Sequence, residues 1–282
     1  MKIPGWLSVR VALLVFLVGC GYSPEAEEPV AAYDILITNG TVVDGTGAPA
    51  FEADIAIVDG AMWRIGDLDG APATRVIDAQ GMVVSPGFVD LHNHADRNII
   101  DNPGIENYLH QGVTTILAGN CGNSPVHFDA YFQAVEETGI ALNLAMLIGH
   151  NAVRAEVMGN ENRVPTEPEQ AQMDALVRAA MNAGAFGMST GLIYLPGTYS
   201  ETAEVVSLAR VVAEEGGIYA SHIRNEFDLI VDAIEEAISI GREADLPVHL
   251  SHFKVADNKM WGQSTTTLGL VESARNEGLD VS

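Results

Sequence analysis

Between residues 33 and 85 short apolar runs alternate with tight-turn signals. Asp34-Ile35-Leu36-Ile37 leads into Asn39-Gly40, and Thr41-Val42-Val43 leads into Asp44-Gly45-Thr46-Gly47. Ala53 to Val58 ends at Asp59-Gly60, after which Met62 to Ile65 and Arg75 to Asp78 add two more runs. Such spacing predicts a small module of short antiparallel strands. From residue 86 the rhythm changes, and apolar β-branched runs alternate with helical stretches. Strands are expected near 83–91, 113–118, 143–148, 185–190, 218–223 and 248–253, with a seventh starting at Leu279. Thr166-Glu167-Pro168-Glu169 is a capping box opening a helix toward Asn182. Ser200 is placed to cap a helix running through Ala213 to the stop at Gly216-Gly217, and a further helix is expected over Glu226 to Glu243. Strands separated by crossover helices make a parallel sheet. Seven strands are one short of a closed barrel, so the sequence reads as part of a longer protein.

What ends each run matters more than the runs. His92 and His94 close Met82 to Leu91, Cys121 follows Val113 to Ala118, His222 closes Ile218 to Ile223, and His252 closes Val248 to Phe253. Along a strand, residues i and i+2 share a face, so His92 and His94 both point inward while Asn93 points away. Barrel enzymes of alternating strands and helices assemble their sites at the C-terminal strand ends. Convergent imidazoles and a thiol there suit a divalent metal. The competing reading, histidines hydrogen-bonded in a core, is kept for His110, His127, His150 and His249. Arg224 and Lys254 stand two residues after His222 and His252, on the same strand faces. They are candidates for a substrate carboxylate, as is Tyr194 in the loop after the fourth strand. Arg224 could instead pair with Glu226, and Tyr194 could pack as a loop aromatic. Asp90 and Asp96 are candidates to support the first two histidines.

The chain has 282 residues, 48% of them apolar, enough for a substantial core. A net charge of −24 with 14 basic residues leaves no basic stripe for phosphates, so no nucleic-acid partner is expected. At the N-terminus Lys2 and Arg10 flank a short apolar core, Val11 to Val18, followed by Gly19-Cys20. Residues 1–20 thus resemble a lipoprotein signal peptide in which Cys20 receives a lipid, with an ordinary secretory signal as the alternative. Residues 21–32 lack core-forming side chains and read as a flexible tether. Gly21 after the cysteine points to the periplasmic side of an outer membrane, with a secreted or cell-surface location as the alternative. Cys20 and Cys121 are the two cysteines, so lipidation of one and metal binding by the other leave no disulfide.

Pro86-Gly87-Phe88-Val89-Asp90-Leu91-His92-Asn93-His94 resembles the first-strand signature of the amidohydrolase superfamily. Together with Gly119-Asn120-Cys121-Gly122, Ser189-Thr190-Gly191-Leu192-Ile193-Tyr194-Leu195-Pro196-Gly197, Ser221-His222-Ile223-Arg224 and Ser251-His252-Phe253-Lys254, it is similar to the N-acyl-D-amino-acid deacylase (D-aminoacylase) family. The resemblance implies a zinc-dependent (β/α)8 TIM-like barrel over 86–282, present from strand 1 to the start of strand 7. It also implies a small β-sandwich domain to which 33–85 contribute. Cys121, His222 and His252 would hold one tight zinc, and His92 and His94 would face a second, weaker position bridged by the same thiolate. Tyr194 and Lys254 would line the substrate pocket. The general base would be an aspartate beyond Ser282, so the chain alone is expected to lack activity. The implied reaction is hydrolysis of N-acyl-D-amino acids, with D-peptides, cyclic amides or a non-catalytic solute-binding lipoprotein as alternatives.

Overall fold

The computed structural model describes residues 32–282, so the signal segment, the tether and Cys20 lie outside the described residues. The chain divides into two compact units between Pro86 and Gly87.

The first unit is one mixed sheet in the order β3 (Ala61–Gly66), β2 (Phe51–Val58), β1 (Tyr33–Val42), β4 (Ala73–Asp78). β1 and β2 pair antiparallel, as do β2 and β3. The purely antiparallel expectation fails at β4 and at β5 (Val83–Val84), which both pair parallel to β1. The reason is connection length: residues 67–72 separate β3 from β4, so that strand is not confined to a two-residue hairpin return. A second sandwich layer is not seen among the described residues.

The second unit is a parallel sheet whose spatial order equals its chain order. It starts with β6 (Phe88–Asp90), after which β7 (Val113–Ala118), β8 (Asn143–Gly149), β9 (Gly187–Gly191), β10 (Ile218–His222) and β11 (Val248–Leu250) each pair with the preceding strand. Val281 then bridges parallel to Val248, beginning the next position. A parallel sheet that always adds the next strand on the same side curls, as in a (β/α) barrel, because each right-handed crossover leaves its helix on the same face.

The helices are α1 (Glu106–Leu109), α2 (Phe128–Thr138), α3 (His150–Met158), α4 (Glu167–Asn182), α5 (Thr202–Glu214), α6 (Ile230–Ala244) and α7 (Ser264–Asn276). The α4 capping box forms as expected, with Thr166 and Glu169 exchanging hydrogen bonds. Ser200 does not cap α5; its hydroxyl donates to the Gly197 carbonyl and Glu201 takes the N-cap position. α6 begins four residues later than expected because the Asn225 side chain accepts from the Phe227 and Leu229 amides, and this leaves Glu226 in a loop. The main core is built of strand residues such as Met146, Ile148, Met188 and Tyr219 and helix residues such as Val177, Leu208, Val212 and Ile234, all fully buried. Each aliphatic side chain so buried stabilises by about 1.5–3 kcal/mol.

Candidate metal centre

The strand that delivers the first pair of histidines is shorter than its apolar run. β6 ends at Asp90, and His92 and His94 lie beyond it. The cause is local: the Asp90 carboxylate accepts from the His92 amide, and the Asn93 side chain donates to the Leu117 carbonyl. Asn93 is therefore buried instead of pointing away, and the strand alternation assumed for the two histidines does not apply. The same holds at the other end, where β11 ends at Leu250 and His252 has a left-handed backbone, φ 35°.

Cys121 sits in the turn after β7 at φ 55°, flanked by Gly119 and Gly122, which also have positive φ. Neither glycine tolerates a side chain. A Cβ on Gly119 would lie 2.1 Å from the Leu147 carbonyl oxygen, and one on Gly122 would lie 2.0 Å from Asn151 Oδ1. The close approach presses the turn onto the ends of β8 and β9. Asn120 below it donates to the Leu117 carbonyl, and the Ser189 hydroxyl accepts from the Gly122 amide. A non-glycine residue held at positive φ by such ties is typical of functional sites.

The outcome is a thiol ringed by imidazoles. Cys121 Sγ lies 3.5 Å from His92 Nε2, 3.6 Å from His222 Nδ1 and 3.8 Å from His252 Nε2. Zinc bonds of about 2.3 Å to sulfur and about 2.0–2.1 Å to nitrogen, at a tetrahedral angle, would set the two donors about 3.6 Å apart. The residues fit a metal on a second count: His92 Nδ1, His94 Nδ1 and His222 Nε2 are buried with no hydrogen-bond partner. Two groups have donor atoms all within 4.8 Å of one another, His92–Cys121–His252 and His222–Glu226–His252. The trio Cys121, His222 and His252 is not one of these groups, although both imidazoles stand on the sulfur. His94 is in neither group; its ring lies edge-on to His92 with centroids 5.6 Å apart.

Electrostatics favours neutral His92 and His222 and a protonated thiol when no cation is present. Burial, then the charges of His252 and His94, pulls His92 down to about 4. Burial also pulls His222 down to about 4, against the upward pull of Glu226. Burial, then the Glu226 carboxylate, pushes the Cys121 thiol up to about 11. A dication would reverse that preference by favouring the thiolate.

Glu226 went unrecognised as a site residue in the sequence, although it lies four positions after a strand-ending histidine. It is buried, its Oε1 lies 2.9 Å from His252 Nδ1 and 3.7 Å from His222 Nε2, and it also pairs with Lys254. Lys254 Nζ in turn lies 3.4 Å from His252 Nδ1. Tyr194 follows β9 and sets its half-exposed ring against His222, centroids 4.6 Å apart. Arg224 is turned elsewhere: its guanidinium forms a two-pronged pair with Glu236, both distances 2.8 Å, and reaches the Thr198 carbonyl. β10 ends at His222, so the strand alternation that put Arg224 beside His222 stops before reaching it.

Asp90 and Asp96 do not bond an imidazole. Asp90 holds the His92 amide, and Asp96, whose pKa burial raises, accepts from the Gly119 amide. His150 is the core histidine expected of it, 2.9 Å from Glu204. His110 and His127 are exposed, because one follows α1 and the other precedes α2. His249 is half-buried and contacts the Ser282 hydroxyl at 3.0 Å.

A sequentially wound parallel sheet with a thiol and imidazoles gathered at its C-terminal strand ends is the arrangement of an amidohydrolase-type barrel. Residues 75–281 match the amidohydrolase family, and the chain belongs to it. An N-acyl-D-glutamate deacylase of Alcaligenes xylosoxydans xylosoxydans is 38% identical over 270 residues, 88% of this chain and 55% of that protein. The crystal structure of N-acyl-D-glutamate deacylase from Bordetella bronchiseptica, complexed with zinc and a phosphonate inhibitor, superposes with a TM-score of 0.86 at 37% identity, over 89% of this chain and 58% of that one. A D-aminoacylase structure, described in terms of its binuclear metal centre, also gives 0.86 at 37% identity, over 89% of this chain and 57% of that one. The chain spans about half the length of the curated relatives it matches.

Proposed function

We propose that the protein uses zinc to hydrolyse the amide bond of N-acyl-D-amino acids, yielding a carboxylate and a free D-amino acid. The observation that carries this reading is the thiol of Cys121 with three imidazole nitrogens 3.5–3.8 Å from it. One zinc is assigned to Cys121, His222 and His252, and a second, weaker one to the side of His92 and His94. The donor group His92–Cys121–His252 supports a metal position shared by the thiol and the first of these two histidines. When bound there, a divalent metal polarises the amide carbonyl and lowers the pKa of a water to about 7.

The chain's own residues orient the substrate. Lys254 supplies a cation beside the ligands, and the Tyr194 hydroxyl a hydrogen bond, for the carboxylate of the D-amino acid. Glu226 Oε1 stands 2.9 Å from His252 Nδ1, a placement that favours the tautomer with its proton on Nδ1 and its Nε2 lone pair toward Cys121. The water oxygen bonds to the carbonyl carbon, the C–N bond breaks, and the water's proton ends on the leaving nitrogen. Glu226 is engaged by Lys254 and His252 and is not assigned that transfer. The aspartate that the family resemblance implies is placed beyond Ser282. We further assign Cys20 as a lipid anchor on the periplasmic side of an outer membrane, on the strength of the Leu17-Val18-Gly19-Cys20 sequence.

The test, on the full-length protein, is amine release from N-acetyl-D-leucine and N-acetyl-D-glutamate, with their L enantiomers and a D-dipeptide alongside, and ring opening of dihydrouracil followed by its ultraviolet absorbance. Turnover confined to the N-acetyl-D-amino acids is expected. Preference for the dipeptide or the cyclic amide would replace the substrate class, and zinc-loaded protein with no turnover of any of them would overturn the enzyme reading.

A further inference from the structure

Glu226 touches both halves of the proposed chemistry and is the buried acid between them. Its Oε1 meets His252 Nδ1 at 2.9 Å and the Lys254 ammonium, and stands 3.7 Å from His222 Nε2. It is 7% exposed, whereas Lys254 is exposed. Its place is set by backbone and not by chance rotamers: the Asn225 side chain caps the turn that follows, and the Ala256 amide donates to the Glu226 carbonyl. The segment after His252 is thereby tied to the segment after His222.

We propose that Glu226 is a positioning residue that couples metal holding to substrate-carboxylate binding. Toward the metal, its carboxylate oxygen stands 2.9 Å from His252 Nδ1, which favours a proton on that nitrogen and leaves Nε2 aimed at the thiol. Toward the substrate, the same oxygen holds the Lys254 ammonium beside the ligands, where a free lysine chain would sweep through solvent. One buried carboxylate thus serves both partners, and its loss is felt on the metal side and on the substrate side at once. The substrate half rests on the function proposed above; the metal half does not.

Two measurements on the purified protein separate them. Zinc affinity from chelator competition, and the absorption spectrum of the Co(II) form, need no substrate. Glu226→Gln keeps the shape and one acceptor but loses the charge, and should weaken zinc about 10–100-fold, the usual effect of losing a partner of a ligand imidazole. It should also shift the cobalt bands, which a fold-level effect leaves alone. Lys254→Met should keep zinc affinity near that of the unchanged protein, because His252 keeps its acceptor. In steady-state assays with N-acetyl-D-glutamate, Glu226→Gln should raise KM, and this rise should vanish when Lys254 is already Met, while the zinc effect persists. If Glu226→Gln does not fold, Glu226→Asp, which keeps the charge but falls a methylene short, replaces it with the same expected loss. Unaltered zinc affinity and cobalt spectrum in a folded variant, or an equal zinc loss in Lys254→Met, would overturn the proposal. Absence of turnover with the zinc results intact would instead count against the substrate reading alone.

Discussion

Zinc affinity should climb about tenfold for each pH unit between pH 6 and 8, because one buried thiol must surrender its proton to the incoming metal. Burial, then the charge of Glu226, pushes Cys121 up to about 11, so in this range the metal-free protein carries the thiol. The metal-bound form carries the thiolate. One proton therefore leaves per metal bound at every pH below about 11, and a plot of log affinity against pH rises with unit slope. His92 and His222 do not add to it. Burial pulls His92 and His222 to about 4, so both are already neutral above about pH 5. From pH 6 to 8 the gain is about 100-fold, or about 2.7 kcal/mol.

Cys121→Ser should abolish the slope, since a serine hydroxyl does not ionise in this range. Zinc sites of four ligands have apparent binding free energies of about 10–16 kcal/mol, so one ligand is worth about 3 kcal/mol and its loss at pH 8 about 10²-fold. The measurement is competition with a chromogenic chelator whose own proton dependence is known. A slope near zero in the unchanged protein, or the same slope in Cys121→Ser, would show that the thiol is not what the metal displaces a proton from.

Three further outcomes follow from other contacts. Glu204→Ala should cost about 3–5 kcal/mol in urea unfolding, because Arg154, with no exposed side chain, loses its partner. Burial pushes the Glu204 carboxyl up but His150 and Arg154 outweigh it and hold it low; its stabilisation is therefore full above the ordinary glutamate value of about 4.3 and lost as pH falls through the lower folded value, a pH dependence the variant should lack. Lys254→Met should raise KM for an N-acetyl-D-amino acid about 10–100-fold, as expected for a lost bond to a charged group, whereas Arg224→Gln, at a residue paired with Glu236, should leave KM unchanged. Cys20→Ser should move the protein out of the membrane fraction or leave its signal uncleaved, and a variant still membrane-bound with its signal removed would place the anchor elsewhere.

The strand ladder was legible because β-branched apolar runs between polar breaks have few other uses: β7 was read at its observed bounds and β8, β9 and β10 within a few residues. The capping box of α4 was equally plain, since its two hydrogen bonds are local in sequence. Strand ends were less so. An aspartate at 90 and an asparagine at 93 offer the backbone side-chain partners that compete with the ladder, and nothing in the apolar run announces that the competition will be won. Arg224 was read by strand parity, which fails one residue past the end of β10. Glu226 was hidden for a different reason. Its role depends on the segments after β10 and β11 lying together, a contact spanning 28 residues that only the fold creates.

The distance between strand ends and ligands is itself informative. His92, Cys121 and His252 all stand past their strands, and two of them have positive φ. Backbone that leaves a ladder exposes amides and carbonyls that must be satisfied inside the protein. Here polar side chains do it: Asn93 and Asn120 reach the Leu117 carbonyl, Ser189 bonds both the Gly119 carbonyl and the Gly122 amide, and Asn151 pairs with both backbone groups of Gly191. These ties link the segments after β6, β7 and β8 to one another and to β9, so the candidate ligands rest on a buried polar belt as well as on the sheet. His222, at the last position of β10, brings its Nδ1 to the thiol from within a strand, whereas Cys121 and His252 come from turns at positive φ, and the asparagines and the serine beneath the thiol satisfy backbone groups that those departures from the ladder would otherwise leave unpaired.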